Sequence, residues 1–585
     1  MSDVFFKPGL GNASAAPVHF PYTREKLLER PIFPAYVFDG GAFFFATDVF
    51  GTADGDRILE MTMSGDLFRY WQFDGRFDWD AVWKQFHGLH YTAEWEGHIW
   101  LNRLYILLPL AQAFCRTGER RYAEKWYDLL CDWYRCNPYT TYDDRADDLV
   151  WRDMQVAWRT INLVHSVFLM GERDPFTHAQ WETVYGIIRV HAAHMLKEGR
   201  YRAAQHKPGN HYLQIGMALI MTGILFPELG DTDDCLCIGR IIVEDNLKYS
   251  IFDDGVNEED SLSYCHFIAR LYLEAELLLT KNGLPGIAGC AEKLQRQYEF
   301  MYQFASPDGK TLQIGDSYAL DAFTDIDYVN SIYPLTFDRT RRSMLFPQSR
   351  MAVLHCGAYS VYVDAMDMRE WHQHYGRPHF LAFAGDQPLV ADSGCVNYDR
   401  YDLRVELNGP FGHNVITCDE LPLEKDLEKT DVTEELAVEA YRADDAESVL
   451  TVRNRVSAPD GRFYVWRRTF RLTPGGLTVT DRVEASQVMH FQSLLHLPSC
   501  RVGYYDPAVT VGKAFENRAV QPVSRDCRTV SQRRGSRLAV ITAQTPFEST
   551  FRPAMAPDNR YNYVQLLTRC FETDSFEETT VISLK

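Results

Sequence analysis

Between about Trp83 and Phe304 the hydrophobic residues recur every three or four positions, the spacing that places them on one face of an α-helix. Two of the stretches end on Gly118 and Gly283, and glycine suits the position that follows a helix because it adopts a left-handed backbone easily. Short turns with Gly, Pro or Asp separate the stretches, and no repeat of fixed period is present. The pattern therefore predicts paired helices in an α/α toroid rather than a solenoid.

After about Arg342 the pattern changes to period two, which is typical of β-strands, with many Val, Thr and aromatic residues and turns such as Pro474-Gly475-Gly476. We therefore predict a multidomain chain, α then β: an N-terminal incomplete (α/α) toroid followed by a C-terminal antiparallel β-sandwich. The predicted boundaries are 1–80 for a segment that wraps the toroid, 81–345 for the toroid and 346–585 for the sandwich.

Composition and charge limit the partners. The formal net charge of -20 argues against nucleic acid, although an acidic protein still binds an acidic glycan where a few cationic side chains converge. The 13 cysteines show no CxxC framework, so we expect reduced thiols. Neither a secretion signal nor an apolar run long enough for a membrane is apparent, which predicts a cytoplasmic protein, or a periplasmic or secreted one if a leader has been removed.

Two clusters in the helical part contain side chains suited to proton transfer. Asn210 and His211 follow Pro208-Gly209 and precede an apolar helical run, where Asn is also a common helix cap. Tyr264 and His266 follow an acidic loop that begins at Asp253, and a tyrosine at such a position is often a core residue. Taken singly, each cluster has a structural interpretation.

A third cluster lies in the β part. His372 and His374 are two positions apart, so on a strand they would face the same side. Asp392 opens a tight turn, and His413 lies further along the chain. Two histidines and a carboxylate are sufficient protein ligands for Zn²⁺, although buried sheet histidines would have the same spacing.

Taken together and in this order, the three clusters resemble the heparinase II/III superfamily of polysaccharide lyases. The similar motifs are the Asn-His pair before a helix, the Asp-Gly-Val-Asn-Glu-Glu segment leading to Ser-Tyr, His-Gln-His, Asp-Ser-Gly and Gly-His-Asn. The resemblance covers about residues 90 to 420. It implies cleavage of an acidic polysaccharide or oligosaccharide at a uronate by β-elimination.

The resemblance also implies roles for individual residues. Asn210 and His372 would neutralise the substrate carboxylate with help from His211, while Tyr264 would act as base and as acid. An unperturbed phenol with a pKa near 10 is a poor base at neutral pH, so nearby cations would have to favour the phenolate. The reaction centre would lie at the interface of the two halves. A structural Zn²⁺ at the sandwich face of the cleft would be held by His374, Asp392 and His413.

Further residues are expected to contact substrate because they occupy places where relatives line the cleft: Trp95, Arg152, Gln155, Arg159, Gln373, Tyr398 and Tyr401. The chain departs from the family pattern where Tyr375-Gly376-Arg377-Pro378 follows the second histidine, which affects the shape of the pocket more than its chemistry.

Several alternatives remain open at this level. The substrate is expected to be a glycosaminoglycan such as heparan sulfate, hyaluronan or chondroitin, with alginate or another bacterial uronan as the alternative. A glycoside hydrolase would need two carboxylates beside the cleft, for which Glu258, Glu259 and Asp316 are candidates. A non-catalytic glycan-binding protein is a third class, and a homo-oligomer is possible.

Overall fold

A computed structural model describes the following residues of the chain: 52–59, 102–139, 149–152, 154–171, 173–206, 208–318, 320–369, 372–396, 401–423, 432–498, 524–534, 536–555 and 561–585. The chain divides into two compact units. The first is Met1–Ser250 with Phe267–Leu294, and the second is Ile251–His266 with Gln295–Lys585. The short Ile251–His266 segment, which carries Tyr264, therefore belongs to the same unit as His372.

The described residues of the first unit are helical, as the periodicity predicts. Its helices are α1 (Thr52–Leu59), α2 (Leu107–Thr117), α3 (Arg120–Cys136), α4 (Met154–Gly171), α5 (His178–Ala203), α6 (Asn210–Leu225) and α7 (Thr232–Ser250). Helices α8 (Leu262–Lys281) and α9 (Cys290–Gln303) each have residues in both units. Gly118 ends α2 with a φ of 75°, and its N–H bonds to the Phe114 carbonyl, so the predicted C-cap is confirmed.

Helix α6, which begins at Asn210, is apolar along almost its whole length and is buried among α4, α5 and α7. Glycines allow it to lie very close to α7. A Cβ on Gly216 would stand 2.9 Å from Ile242 Cγ2, and one on Gly239 would stand 2.7 Å from the Gly216 carbonyl oxygen. This close approach fixes the start of α6 against its neighbours.

The described residues of the second unit form two antiparallel sheets. The first has five strands in sequential order: β1 (Met344–Phe346), β2 (Met351–Cys356), β3 (Tyr359–Asp364), β4 (His379–Ala384) and β5 (Gln387–Val390). The second has eight, ordered β11-β12-β13-β10-β9-β8-β7 with β6 paired to β10: β6 (Ile416–Cys418), β7 (Thr433–Ala443), β8 (Ser448–Ser457), β9 (Phe463–Thr473), β10 (Gly476–Pro498), β11 (Ser524–Arg534), β12 (Arg537–Met555) and β13 (Tyr561–Leu584). Helices α10 (Ala322–Ile332) and α11 (Tyr401–Asn408) also belong to this unit.

One hydrophobic core joins the two sheets. It contains Val361 and Val363 from β3 together with Leu450 and Val452 from β8, all nearly inaccessible to solvent. Along β8 buried and half-buried residues alternate, because successive side chains of a strand point to opposite faces. The predicted fold class, helices followed by an antiparallel β-sandwich, is confirmed. None of the described helices has the length and hydrophobicity needed to cross a bilayer.

Candidate active site

A tyrosine and a histidine from distant parts of the sequence are in contact in the second unit. The ring of Tyr264, in the first turn of α8, stacks on the imidazole of His372 with ring centroids 3.8 Å apart and planes inclined by 25°. The His372 side chain is buried. Phenol and imidazole are both groups that exchange protons, so the contact places two proton-transfer groups at one point.

The start of α8 is held by a turn far along the chain. The Ser317 hydroxyl accepts hydrogen bonds from the backbone N–H groups of Leu262, at 2.7 Å, and Ser263, at 3.4 Å. The hydroxyls of Ser261 and Ser263 donate to the Asp316 carbonyl at 2.9 Å and 3.1 Å. The first N–H groups of a helix lack partners within the helix, so this turn acts as its cap and fixes the position of Tyr264.

The Asp316 carboxylate is completely buried and binds three side chains. Its Oδ2 accepts from His372 Nδ1, at 3.0 Å, and from Arg404 Nη2, at 2.5 Å. Its Oδ1 lies 3.0 Å from His374 Nε2. Burial alone would raise the pKa of Asp316, but Arg404 and the two imidazoles hold it well below its usual range. Because an ionised carboxylate only accepts hydrogen bonds, each imidazole carries a proton on the nitrogen that faces Asp316.

The backbone beside Asp316 is equally constrained. Its N–H donates to the His372 carbonyl at 2.9 Å. Gly315 has a φ of 59°, and a Cβ at this position would lie 2.2 Å from the carbonyl oxygen of Asp260 and 2.8 Å from that of His372. Only glycine fits here. In the sequence, Asp316 suggests only a hydrolase carboxylate, and the Gly-Asp-Ser triplet is the local signal for the role that the structure gives it.

The His372-Gln373-His374 segment is a loop, so the expectation of a strand was wrong: β4 begins at His379, after the turn at residues 375–378. The two histidines meet at one carboxylate through different ring nitrogens rather than through a shared sheet face. Gln373 is buried, donates from Nε2 to the Asp367 carbonyl at 3.1 Å, and accepts from Arg369 N–H. These bonds hold the shape of the loop, and the role of Gln373 as a substrate ligand stays a prediction.

A buried cation connects this loop to the segment before Tyr264. Arg377 donates to the carboxylates of Asp260 and Asp364, the latter at 3.0 Å, and to the His374 carbonyl at 2.6 Å. All three ionic side chains are at most 5% exposed. Arg377, which departs from the family pattern, is therefore a structural residue that forms buried ion pairs with two carboxylates.

Asn210 and His211 lie in the first unit, at the first two positions of α6. The N-cap of this helix is Gly209, so Asn210 is not the cap that its residue type suggests. Asn210 is buried, and its Oδ1 accepts from Gln214 Nε2 at 3.3 Å. The capping interpretation of Asn210 is thereby removed, and its catalytic role stays a prediction.

A group of ligand atoms suited to a metal lies in the second unit and differs in one member from the predicted set. The ligand atoms of His379, Asp392 and His413 all lie within 4.8 Å of one another, whereas the prediction named His374 in place of His379. The rings of His374 and His413 are 5.2 Å apart. Burial by itself raises the pKa of Asp392, but His413 and the other nearby histidines hold it at about 2. An ionised carboxylate beside neutral imidazoles is the form that binds a metal.

Two of the predicted substrate-binding residues of the first unit, Arg159 and Gln155, are buried. Arg159 is fully buried, and its guanidinium donates to the carbonyls of Asn102 and Val150 and to His191. Gln155 is also buried and accepts from Arg103 Nε at 2.7 Å. These contacts place both side chains in the packed helical core, and their role as substrate ligands stays a prediction.

The remaining predicted substrate contacts are less constrained. Arg152 is exposed. Tyr401 is the first residue of α11. Trp95 and Tyr398 lie outside the described residues.

Family models match most of the chain. The model described as Heparinase II/III N-terminus matches residues 53–338, and the model described as Heparinase II/III-like, C-terminal matches residues 338–555. Curated relatives include heparin-sulfate lyases from Pedobacter heparinus, 24% identical over 255 residues, and from Bacteroides thetaiotaomicron, 24% identical over 237 residues. These matches cover 42% and 40% of this chain but only 36% and 32% of the relatives.

Solved structures share the fold along nearly the whole chain. The crystal structure of a heparinase III matches with a TM-score of 0.73 and 17% identity, covering 97% of this chain and 87% of the other. The heparan sulfate lyase of Pedobacter heparinus matches with a TM-score of 0.61 and 16% identity, covering 96% and 87%. At these identities the likeness concerns the fold.

Proposed function

Because the chain belongs to the heparinase II/III family, we propose that it is a polysaccharide lyase that cleaves a uronate-containing glycosaminoglycan by β-elimination. The observation that carries the proposal is the stacked pair of Tyr264 and His372, with His372 anchored through Nδ1 to a buried carboxylate. A hydrolase would instead need two carboxylates able to reach substrate. Asp316, one of the candidates for that chemistry, has both oxygens occupied by side chains of the chain itself.

In the proposed reaction Tyr264 removes the proton from C5 of the uronate. The electron pair of that C–H bond forms the C4–C5 double bond, the bond from C4 to the glycosidic oxygen breaks, and the departing oxygen receives a proton from Tyr264. Asn210, His211 and His372 bind the uronate carboxylate, on which negative charge grows as the C5 proton leaves. Donors fixed in advance at such a charge are often worth a few kcal/mol each.

Heparan sulfate is the proposed substrate class. The support is that the curated relatives are named heparin-sulfate lyases. The chain spans about a third of the length of these relatives. A chain of net charge -20 repels a polyanion at long range, so binding would rest on cationic side chains gathered locally and would weaken as salt is added.

The proposal is tested by incubating the full chain with heparan sulfate and following the ultraviolet absorbance of 4,5-unsaturated uronate. Tyr264→Phe is expected to remove the absorbance increase, because a phenyl ring neither takes nor returns a proton. Tyr272→Phe is the matched control: it lies on the same helix, and its hydroxyl donates to Asn246 at 2.5 Å in the helical unit. Saturated products alone, or equal activity of the two variants, would contradict the lyase proposal.

The substrate class is tested separately with hyaluronan, chondroitin and alginate under the same conditions. Heparan sulfate is expected to give the highest kcat/KM. A faster reaction with alginate would support the lyase chemistry but would show that the substrate is a bacterial uronan and not a glycosaminoglycan.

The residues around Asp392 fit a structural Zn²⁺, and tautomers favour one set of ligands. Among the described residues, Nδ1 of His374, Nε2 of His413 and Nε2 of His379 all have no hydrogen-bond partner, and the other nitrogens of His374 and His413 face Asp316 and Asp392. Each ring thus carries its proton toward a carboxylate and keeps a lone pair for a metal. His379 Nδ1 instead accepts from Asn414 N–H at 3.0 Å, which leaves the proton on the nitrogen nearer Asp392.

The proposed zinc ligands are therefore His374, Asp392 and His413, with His379 beside them. Bound there, the ion would crosslink buried segments of the sandwich unit and take no part in proton transfer. Elemental analysis is expected to find zinc in the purified chain and in His379→Ala, and to find it lost from His374→Ala and His413→Ala. If zinc were lost from His379→Ala and retained by His374→Ala, His379 would replace His374 in the proposed set of ligands. Active chain without zinc would contradict the metal proposal.

A further inference from the structure

The turn that contains Asp316 contacts every element that holds the Tyr264–His372 pair. The Asp316 side chain binds His372 and His374, its N–H binds the His372 carbonyl, and its carbonyl receives two serine hydroxyls from the start of α8. Ser317, the next residue, accepts two N–H groups of the same helix start. Two consecutive residues therefore contact His372 and the helix start that carries Tyr264.

The carboxylate divides its two oxygens between two histidines with different proposed tasks. His372, on Oδ2, would bind substrate, whereas His374, on Oδ1, would bind the metal. A shift of the carboxylate moves both rings, because each is held by one hydrogen bond to the same rigid group. Arg404 fixes the carboxylate from the side of Oδ2.

We propose that Asp316 is a positioning residue that sets the geometry of the Tyr264–His372 pair and links it to the metal ligand His374. Asp316 itself touches no substrate. This inference rests on the proposed lyase function for its kinetic consequences, but the tautomers it requires can be measured without any activity.

The kinetic test is Asp316→Asn in the full chain. The amide nitrogen is a donor and would face an imidazole N–H, so one of the two histidine bonds is lost and the ring it held moves. A displacement of about 1 Å at a reacting group costs on the order of 100-fold in rate. We expect kcat on heparan sulfate to fall about 100-fold and KM to change less than about 3-fold, because the substrate-contacting side chains all remain.

The matched control is Asp481→Asn. Asp481 is likewise buried in the second unit and accepts from Trp466 Nε1 and Arg468 Nε, both at 2.7 Å, but it does not contact the pair. It should lower the melting temperature by a similar amount and leave kcat within about 2-fold of the parent. Equal losses of kcat in the two variants would reduce Asp316 to a stabilising residue and overturn the proposal.

A milder variant covers the case in which Asp316→Asn does not fold. Ser317→Ala removes the cap of α8 and leaves the carboxylate in place, so kcat is expected to fall about 10-fold with KM nearly unchanged. Thr177→Ala removes a comparable cap from α5, where Thr177 Oγ1 accepts from Gln180 N–H, and should leave kcat unchanged. An unchanged kcat in Ser317→Ala would contradict the positioning role of the turn.

Nitrogen-15 spectra of histidine-labelled chain supply the readout that is independent of activity. His372 is expected to carry a proton on Nδ1, and His374 a proton on Nε2 and none on Nδ1, the nitrogen proposed to bind the metal. Single substitutions His372→Gln and His374→Gln assign the signals. The opposite tautomer at either ring would overturn the proposal even in an active enzyme, and the expected pair in a chain without lyase activity would refute the proposed function alone.

Discussion

Replacing Arg377 with methionine tests the buried ion-pair centre beside the candidate site. The change removes a guanidinium that donates to Asp260, to Asp364 and to the His374 carbonyl, and leaves the side chains of both acids at most 5% exposed with their shared cation gone. Methionine keeps much of the apolar stem. The loss is therefore mainly electrostatic.

Breaking a buried pair by removing one partner typically costs about 3–5 kcal/mol, because an uncompensated charge stays in the interior. Two carboxylates share this arginine, so the upper part of that range is expected. For a folding unit of the size of the second unit, the usual entropy of unfolding converts this loss to a fall of roughly 5–8 °C in melting temperature.

The loss should depend on pH in a definite direction. Burial and the neighbouring Asp364 raise the pKa of Asp260, while Arg377 opposes them. Without Arg377 the pKa of Asp260 rises further. A group with a raised pKa in the folded state stabilises the fold at low pH and loses that contribution as pH rises. The loss of stability in Arg377→Met, relative to the parent, should therefore be largest near pH 8 and smaller near pH 5.

Differential scanning calorimetry of parent and variant at pH 8 and pH 5 measures both quantities. Arg442→Met is the control, because Arg442 is 72% exposed and its pair with Glu447 is expected to contribute less than about 1 kcal/mol. A melting temperature of Arg377→Met within about 2 °C of the parent, or a deficit that grows on acidification, would refute the reasoning.

Two further predictions concern the helical unit. Arg159→Met should lower the melting temperature, because the bonds to Asn102, Val150 and His191 are lost, and it should leave KM unchanged. A raised KM with unchanged stability would instead support Arg159 as a substrate ligand. Burial lowers the pKa of His194 to about 3, so its contribution to stability is complete above about pH 6.5 and falls as pH decreases, by roughly 2 kcal/mol at pH 5. His194→Gln should therefore lose less stability than the parent between pH 7 and pH 5 in calorimetric scans, and an identical loss would contradict this.

The fold class and the contact between Tyr264 and His372 follow from sequence in different ways. Hydrophobic spacing alone distinguishes the helical part from the β part, because periods of 3.6 and 2 are local properties of the chain. Tyr264 and His372 lie far apart in sequence, and each taken singly is an ordinary core residue. Their order among family motifs identified them, and the structure brings them into contact.

Other features depend on tertiary contacts that no local pattern encodes. Arg159 is predicted to contact substrate from the resemblance, but its guanidinium donates to backbone carbonyls of neighbouring segments. Asp316 stands in a short turn without periodicity, and only the packing of Gly315 against Asp260 and His372 shows why it is held where two histidines converge. The loop at His372-Gln373-His374 was mistaken for a strand because alternation over three residues is too short to decide.

The second compact unit is encoded by two separate stretches of the chain, and this constrains how such a protein can be recombined. Tyr264 lies in the short stretch, while Asp316 and His372 lie in the long one. A single genetic crossover between them would take the tyrosine from one parent and its histidine, with the carboxylate that holds it, from another. Chimeras of family members should therefore retain function when the stretch around Tyr264 is exchanged together with the β half, and lose it when the β half is exchanged alone.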